Sequence, residues 1–160
     1  MNLIAISELF DVKYGLNLEL NKLTRDPGGI NFVSRSAKNN GVTGKVKPIF
    51  EVNPINAGML TVAGGGSVLE TFVQIEPFYS GRDLYYLIPL TEMTLQQKLF
   101  YCMCIRANKY RYNYGRQANR TLRDIQIPQI DQIPDWIDAS FKSVATEWSG
   151  FLSKLSSGEA

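Results

Sequence analysis

The residues best equipped for chemistry lie between Arg106 and Arg123. There Arg106, Lys109, Arg111, Arg116, Arg120 and Arg123 occur without a single acid. Tyr110, Tyr112 and Tyr114 alternate among them, beside Asn108, Asn113, Gln117 and Asn119. Cations neutralise phosphates, Arg, Asn and Gln match base edges, and aromatic rings offer faces for stacking. Such a run suits a nucleic acid; the plainer alternative is a solvated basic helix end whose tyrosines pack on the core. The formal net charge is +2 overall against +6 in this run, which leaves −4 for the rest. The polarity therefore lies in the distribution, which favours a one-sided anionic partner.

Other chemistries are poorly supplied. The sequence has no histidine, which removes a Ser-His-Asp triad, histidine-ligated zinc and an imidazole base. Cys102 and Cys104 are the two cysteines, and on a helix they point to different faces. They suit buried reduced thiols, neither a zinc knuckle nor a mutual disulfide. Gly64-Gly65-Gly66-Ser67 lacks the GxGxxG spacing, and a strand pattern rather than a helix follows it. Asp83, Asp124, Asp131, Asp135 and Asp138 are scattered with no evident metal-site spacing. A nuclease centre of separated acids plus a lysine is the enzymatic rival. No cofactor is indicated. No apolar run reaches the roughly 20 residues of a membrane span, and Met1-Asn2-Leu3 does not open a signal peptide. A cytoplasmic protein is expected.

The elements that must carry the basic run follow from periodicity. An anchoring strand or helical turn is expected over residues 2–12, and a turn at Tyr14-Gly15-Leu16-Asn17. Alternation from Asn17 to Leu23 predicts a half-buried strand, and Asp26-Pro27-Gly28-Gly29 a turn. Strands are expected over 30–35, 42–51, 57–63, 68–75 and 84–88, with a polar loop at 36–41 and a loop or bulge at 78–83. Thr94 and Gln97 have capping-box spacing, and the helix that follows is apolar nearly all round, which predicts burial. Thr121 to Ile127 reads as a short strand or a helical turn, closed by Pro128. Ile137, Phe141, Val144, Trp148, Phe151 and Leu155, spaced 4, 3, 4, 3, 4, form one apolar stripe on a last helix over 135–155. That helix either packs on its own domain or docks on a partner's helix. The fold class expected is α+β: a strand-rich N-terminal half, a buried helix around 94–112 and a C-terminal helix. Residues 1–130 form one domain, and 131–160 a linker and amphipathic helix.

Several segments in this order resemble a known family. SRSAKNNG (34–41), LTVAGGGSVLETFVQ (60–74), PFYSGRDLYYL (77–87) and the stretch 96–128, above all YGRQANRTLRDIQIP, are similar to the target recognition domain of DNA specificity subunits. Such subunits serve Type I restriction-modification systems and related systems that cut on both sides of their site. The resemblance spans roughly 8–137 and implies a non-catalytic module. It would read a half-site of double-stranded DNA through the major groove and present it to a methyltransferase subunit, with a restriction subunit as a further partner. It implies DNA-facing loops at Arg35, Ser36, Lys38, Asn39 and Asn40; at Gly65 and Ser67; at Ser80 and Arg82; and at Asn113, Tyr114, Arg116 and Gln117. Arg35, Arg82 and Arg116 would suit guanine, and Asn39, Asn40, Asn113 and Gln117 adenine or phosphate. Lys109, Arg111 and Arg120 would suit backbone phosphates. Tyr112 and Tyr114 either face DNA or join the core, and Asp83 either faces DNA or orients Arg82. A full specificity subunit usually carries two recognition domains, so the C-terminal stripe would join two copies or dock on the methyltransferase subunit. The alternative is an RNA or single-strand binder with tyrosines as stacking platforms.

Overall fold

The computed structural model describes residues 2–112 and 118–158, the side chain of Phe141 excepted. It is an α+β fold built on three small sheets. Strand β1 (Leu3–Ala5) leads through a single helical turn, α1 (Ile6–Leu9), into β2 (Phe10–Tyr14). Then come β3 (Arg25–Val33), β4 (Val42–Val46), β5 (Leu60–Ala63), β6 (Thr71–Val73), β7 (Phe78–Ser80) and β8 (Leu84–Pro89). Helix α2 (Leu95–Arg106), strand β9 (Gln126–Pro128) and helix α3 (Trp136–Ser157) complete the chain. One sheet has the order β2-β8-β5-β6 with every pair antiparallel, the second the order β4-β3-β7, and β1 pairs with β9.

The main core lies between the four-stranded sheet and α2. Phe10 and Val12, two apart on β2, point inward with Leu60, Val62 and Leu87, and α2 contributes Tyr101, Cys102 and Ile105. Each fully buried large apolar side chain of this kind contributes roughly 1.5–3 kcal/mol. Phe10 and Tyr101 meet edge to face at 5.6 Å, and the Tyr101 hydroxyl donates to the Pro128 carbonyl at 3.0 Å. The capping box forms: Gln97 N–H donates to Thr94 Oγ1 (3.2 Å) and Thr94 N–H to Gln97 Oε1 (2.9 Å). One face of α2 is nevertheless open, since Met103 is 58% exposed. The helix is therefore half-buried, not surrounded. Cys102 is buried and Cys104 half-buried, both as free thiols.

Three local expectations fail for identifiable reasons. Asp26-Pro27-Gly28-Gly29 does not end a strand; it bulges within β3, so that Val46 pairs with both Arg25 and Ile30. Asp26 Oδ1 accepts from Gly28 N–H at 3.0 Å, so the turn chemistry is present, but the chain returns to the same partner strand. The leucines of 16–23 form no strand. Leu16, Leu18, Leu20 and Leu23 lie half-buried against Phe32, Val46 and Tyr79, and Leu20–Lys22 is a single 3₁₀ turn. Their alternation reflects a segment draped over the second sheet. Phe78–Ser80, expected in a loop, is a fully buried strand running parallel to β3.

Helix α3 carries the apolar stripe. Ile137 is buried, but Val144, Trp148, Phe151, Leu152 and Leu155 are all more than half exposed. Of the stripe's described side chains, Ile137 in the first turn is the one that is buried. No described helix is long and apolar enough to cross a membrane.

A candidate nucleic-acid interface at one end of the sheets

Strand polarity brings distant loops together. Antiparallel pairing sets Tyr14, the last residue of β2, opposite Tyr85, and Ala63, the last of β5, opposite Leu84 at the start of β8. The parallel strands β3 and β7 end side by side at Val33 and Ser80. Gly15 N–H donates to the Leu84 carbonyl (2.8 Å) and Gly81 N–H to that of Val33 (2.9 Å), which extends each sheet at this end, and Leu16 N–H donates to Ser80 Oγ (2.6 Å), which ties the segment after β2 to β7 of the other sheet. The residues following β2, β3, β5 and β7 therefore leave from one edge.

Asp83 is the hub of that edge. Its carboxylate lies 3.1 Å from Arg35 Nη1 and 3.4 Å from Arg82 Nε. Its backbone has φ +52, in the left-handed region that Asp tolerates better than most residues. Its N–H donates to the Tyr14 hydroxyl at 3.0 Å, and its carbonyl accepts from Gly64 N–H at 2.8 Å. Gly64 in turn accepts from Ala118 N–H at 3.0 Å, which anchors the chain directly after residues 113–117. Tyr14 and Tyr85 meet edge to face at 5.1 Å. Burial, with Tyr14 and the Asp83 carboxylate nearby, holds the Tyr85 hydroxyl above its ordinary range. Tyr14, Asn17, Glu19 and Arg82 line an open groove of about 540 Å³.

The basic run is only partly available. Lys109 is ion-paired with Glu70. Arg106 bonds the Cys102 carbonyl at 3.3 Å and lies over the Phe72 ring. Arg123 donates to the Val12 carbonyl at 2.9 Å, a framework contact. Arg111 is exposed, stacked over Tyr110 at 5.5 Å, and Arg120 is exposed. Tyr112 packs against the main core, its hydroxyl 2.6 Å from Thr121 Oγ1.

The other expected contact residues divide clearly. Arg82 is exposed, Arg35 partly so, and Lys38 and Ser67 reach the surface to differing degrees. Ser36 Oγ accepts from Lys38 N–H at 3.1 Å. Asn39 donates to the Val42 carbonyl (3.0 Å) and Asn40 to that of Val73 (2.9 Å), both at positive φ, so their amides shape the loop. Ser80 is fully buried and accepts from Leu16 N–H at 2.6 Å, and Gly65 is also buried. Neither lies on the surface, and the segment after β2 covers Ser80 through Leu16. Asn113, Tyr114, Arg116 and Gln117 lie outside the described residues. Sequence reasoning missed Tyr14 and Glu70; with their partners 69 and 39 positions away, no local signal points to either. Among the described residues no cluster of three cysteines, aspartates or glutamates could hold a metal ion.

Comparison with known proteins places this geometry. Residues 1–130 match the model of the Type I restriction modification DNA specificity domain. The chain is 28% identical over 135 residues to the specificity subunit S.BcgI of a Type II restriction enzyme from Heyndrickxia coagulans, covering 82% of this chain and 39% of that protein. Its fold is similar to the type I restriction-modification S subunit of M. genitalium, with TM-score 0.64 and 20% identity over 98% of this chain and 41% of that one. It is likewise similar to the HsdS subunit of Thermoanaerobacter tengcongensis, with TM-score 0.63 and 16% identity over 91% and 38%. The chain thus spans about two fifths of the length of these relatives.

Proposed function

The chain belongs to the Type I restriction modification DNA specificity domain family, and from that premise we propose that it reads a short half-site in double-stranded DNA for a restriction-modification complex. The observation that carries this reading is the convergence of Arg35, Arg82 and the glycine loop 64–67 around Asp83, with Ala118 anchored beside them. An exposed, partly tethered arginine fork suits guanine O6 and N7 in the major groove, while Lys38, Arg111 and Arg120 suit phosphates. Arg116, Asn113, Tyr114 and Gln117 belong to the same proposed surface by sequence. The chain itself acts as a reader; methylation and cleavage would be the work of methyltransferase and restriction subunits. Residues 1–130 would form the recognition unit. The exposed stripe of α3 would dock on a second copy, restoring two half-sites by symmetry, or on the methyltransferase subunit.

A single-strand reading finds less support among the described tyrosines. Tyr112 is half-buried and hydroxyl-bonded, and the two exposed rings are already partnered, Tyr110 by Arg111 and Tyr14 by Tyr85. A row of stacking platforms would need several free faces. The test is competition between labelled duplex and single-stranded DNA across a salt series. Duplex preference, with log affinity falling by about 0.9 per log unit of salt for each phosphate contacted, supports the reading. Preference for single strands overturns it.

A further inference from the structure

We infer that Asp83 is a positioning residue for base recognition: its carboxylate holds Arg82 and Arg35 in fixed poses, and Tyr14 holds Asp83. This rests on the DNA-reading function proposed above. Arg82 approaches Asp83 through Nε at 3.4 Å while its side chain is 74% exposed, so the two terminal nitrogens face outward. Among the described residues nothing engages those nitrogens. A guanidinium tethered at Nε presents its terminal pair as a planar fork, and the loss of side-chain freedom on binding is reduced. Arg35 is braced differently. It reaches the same carboxylate oxygen through Nη1 at 3.1 Å, and Gly66, at φ +62, passes so close that an added Cβ would lie 3.3 Å from Arg35 Cβ. The Asp83 side chain is only 14% exposed, so it faces its two arginines rather than solvent.

The backbone supports the same role. Asp83 sits at φ +52, a conformation held by its N–H bond to Tyr14 Oη and its carbonyl bond from Gly64 N–H. Tyr14 comes from the end of β2 and lines one groove with Arg82, Asn17 and Glu19. One carboxylate beside two arginines also leaves a net positive charge at this point, which keeps it attractive to DNA. Specificity would then depend on an acid that does not itself touch a base.

The test uses the full chain in selection from a random duplex library, comparing wild type with Asp83→Asn, Tyr14→Phe and Arg82→Ala. Asn keeps the size of Asp and tolerates the left-handed backbone, but removes the charge. The expected result is a relaxed preference, by roughly tenfold, at the base pair that Arg82→Ala also relaxes, with salt dependence retained. Tyr14→Phe should relax the same position more weakly. Combining Asp83→Asn with Arg82→Ala should add nothing there. An identical motif for wild type and folded Asp83→Asn overturns the positioning role and leaves the DNA reading standing. If Asp83→Asn does not fold, an unchanged motif in Tyr14→Phe overturns it equally. No enrichment by wild type overturns the DNA reading, and the positioning role with it.

Discussion

Gly64 is where the fold and the candidate interface are most tightly linked, and replacing it with alanine tests that link. An added Cβ would lie 2.4 Å from Asn119 Oδ1, 2.8 Å from Tyr85 Cε2 and 3.2 Å from the Asp83 carbonyl. These three neighbours come from the segment after 117, from β8 and from the turn that precedes it. Ordinary contact begins near 3.4 Å, so two of the three must retreat by more than half an ångström. Yet Gly64 also bonds Asp83 and Ala118 through its backbone, so it cannot easily move instead. Overpacking of this kind costs about 1–3 kcal/mol. At about 2 kcal/mol, Tm of a domain this size falls by about 4–8 °C. Thermal denaturation followed by circular dichroism measures the stability. Duplex binding well below Tm measures the interface, and Gly64→Ala should weaken it even where the protein is folded. Unchanged Tm together with unchanged binding would refute the inference that this glycine clamps the three segments.

Other expectations follow from single contacts. Glu70→Gln releases Lys109 from its ion pair, so duplex binding at low salt should tighten and the salt slope steepen by about 1; an unchanged slope would place Lys109 away from DNA. Arg120→Ala, at an exposed position, should reduce the slope by about 1 without altering the selected motif. Burial pushes the Cys102 thiol up to about 12 from an ordinary 9.0. Below pH 9 both folded and unfolded states are protonated and that contribution is fully present. From pH 9 to 12 only the unfolded state loses its proton, so stability falls by about 1.4 kcal/mol per pH unit. Cys102→Ala should flatten this decline in urea titrations across that range. Gly150 meets nothing within 4 Å inside α3, so Gly150→Ala should raise helicity and stabilise that helix by roughly 0.5–1 kcal/mol. If α3 joins two copies, Trp148→Asp should give monomers in sedimentation equilibrium while the fold persists.

Legibility in the sequence followed how local each determinant is. The α2 capping box spans Thr94 to Gln97, and the stripe of α3 repeats within one helix, so both were readable. The β3 bulge was not, because Asp26-Pro27-Gly28-Gly29 has the same local chemistry whether the chain turns away or returns to Val46. Phe78–Ser80 was too short to show a period, and its parallel pairing with the distant β3 makes it a strand. Among the proposed site residues, Arg82 is legible as a cation in a polar loop, and the resemblance to specificity subunits points to it. Its partners were less so: Tyr14 lies 69 positions from Asp83 and Glu70 lies 39 from Lys109. Ser80 was misplaced because a serine beside glycine and arginine looks exposed, whereas β7 carries it into the interior.

The most direct test of the central claim is enrichment of duplexes from a random library, run on the wild-type chain alone and with a methyltransferase subunit co-expressed. A short motif, single or repeated as two half-sites, is the predicted result, and Arg82→Ala should degrade it at one base pair. Retention of DNA by charge alone, with no motif under either condition, would contradict it.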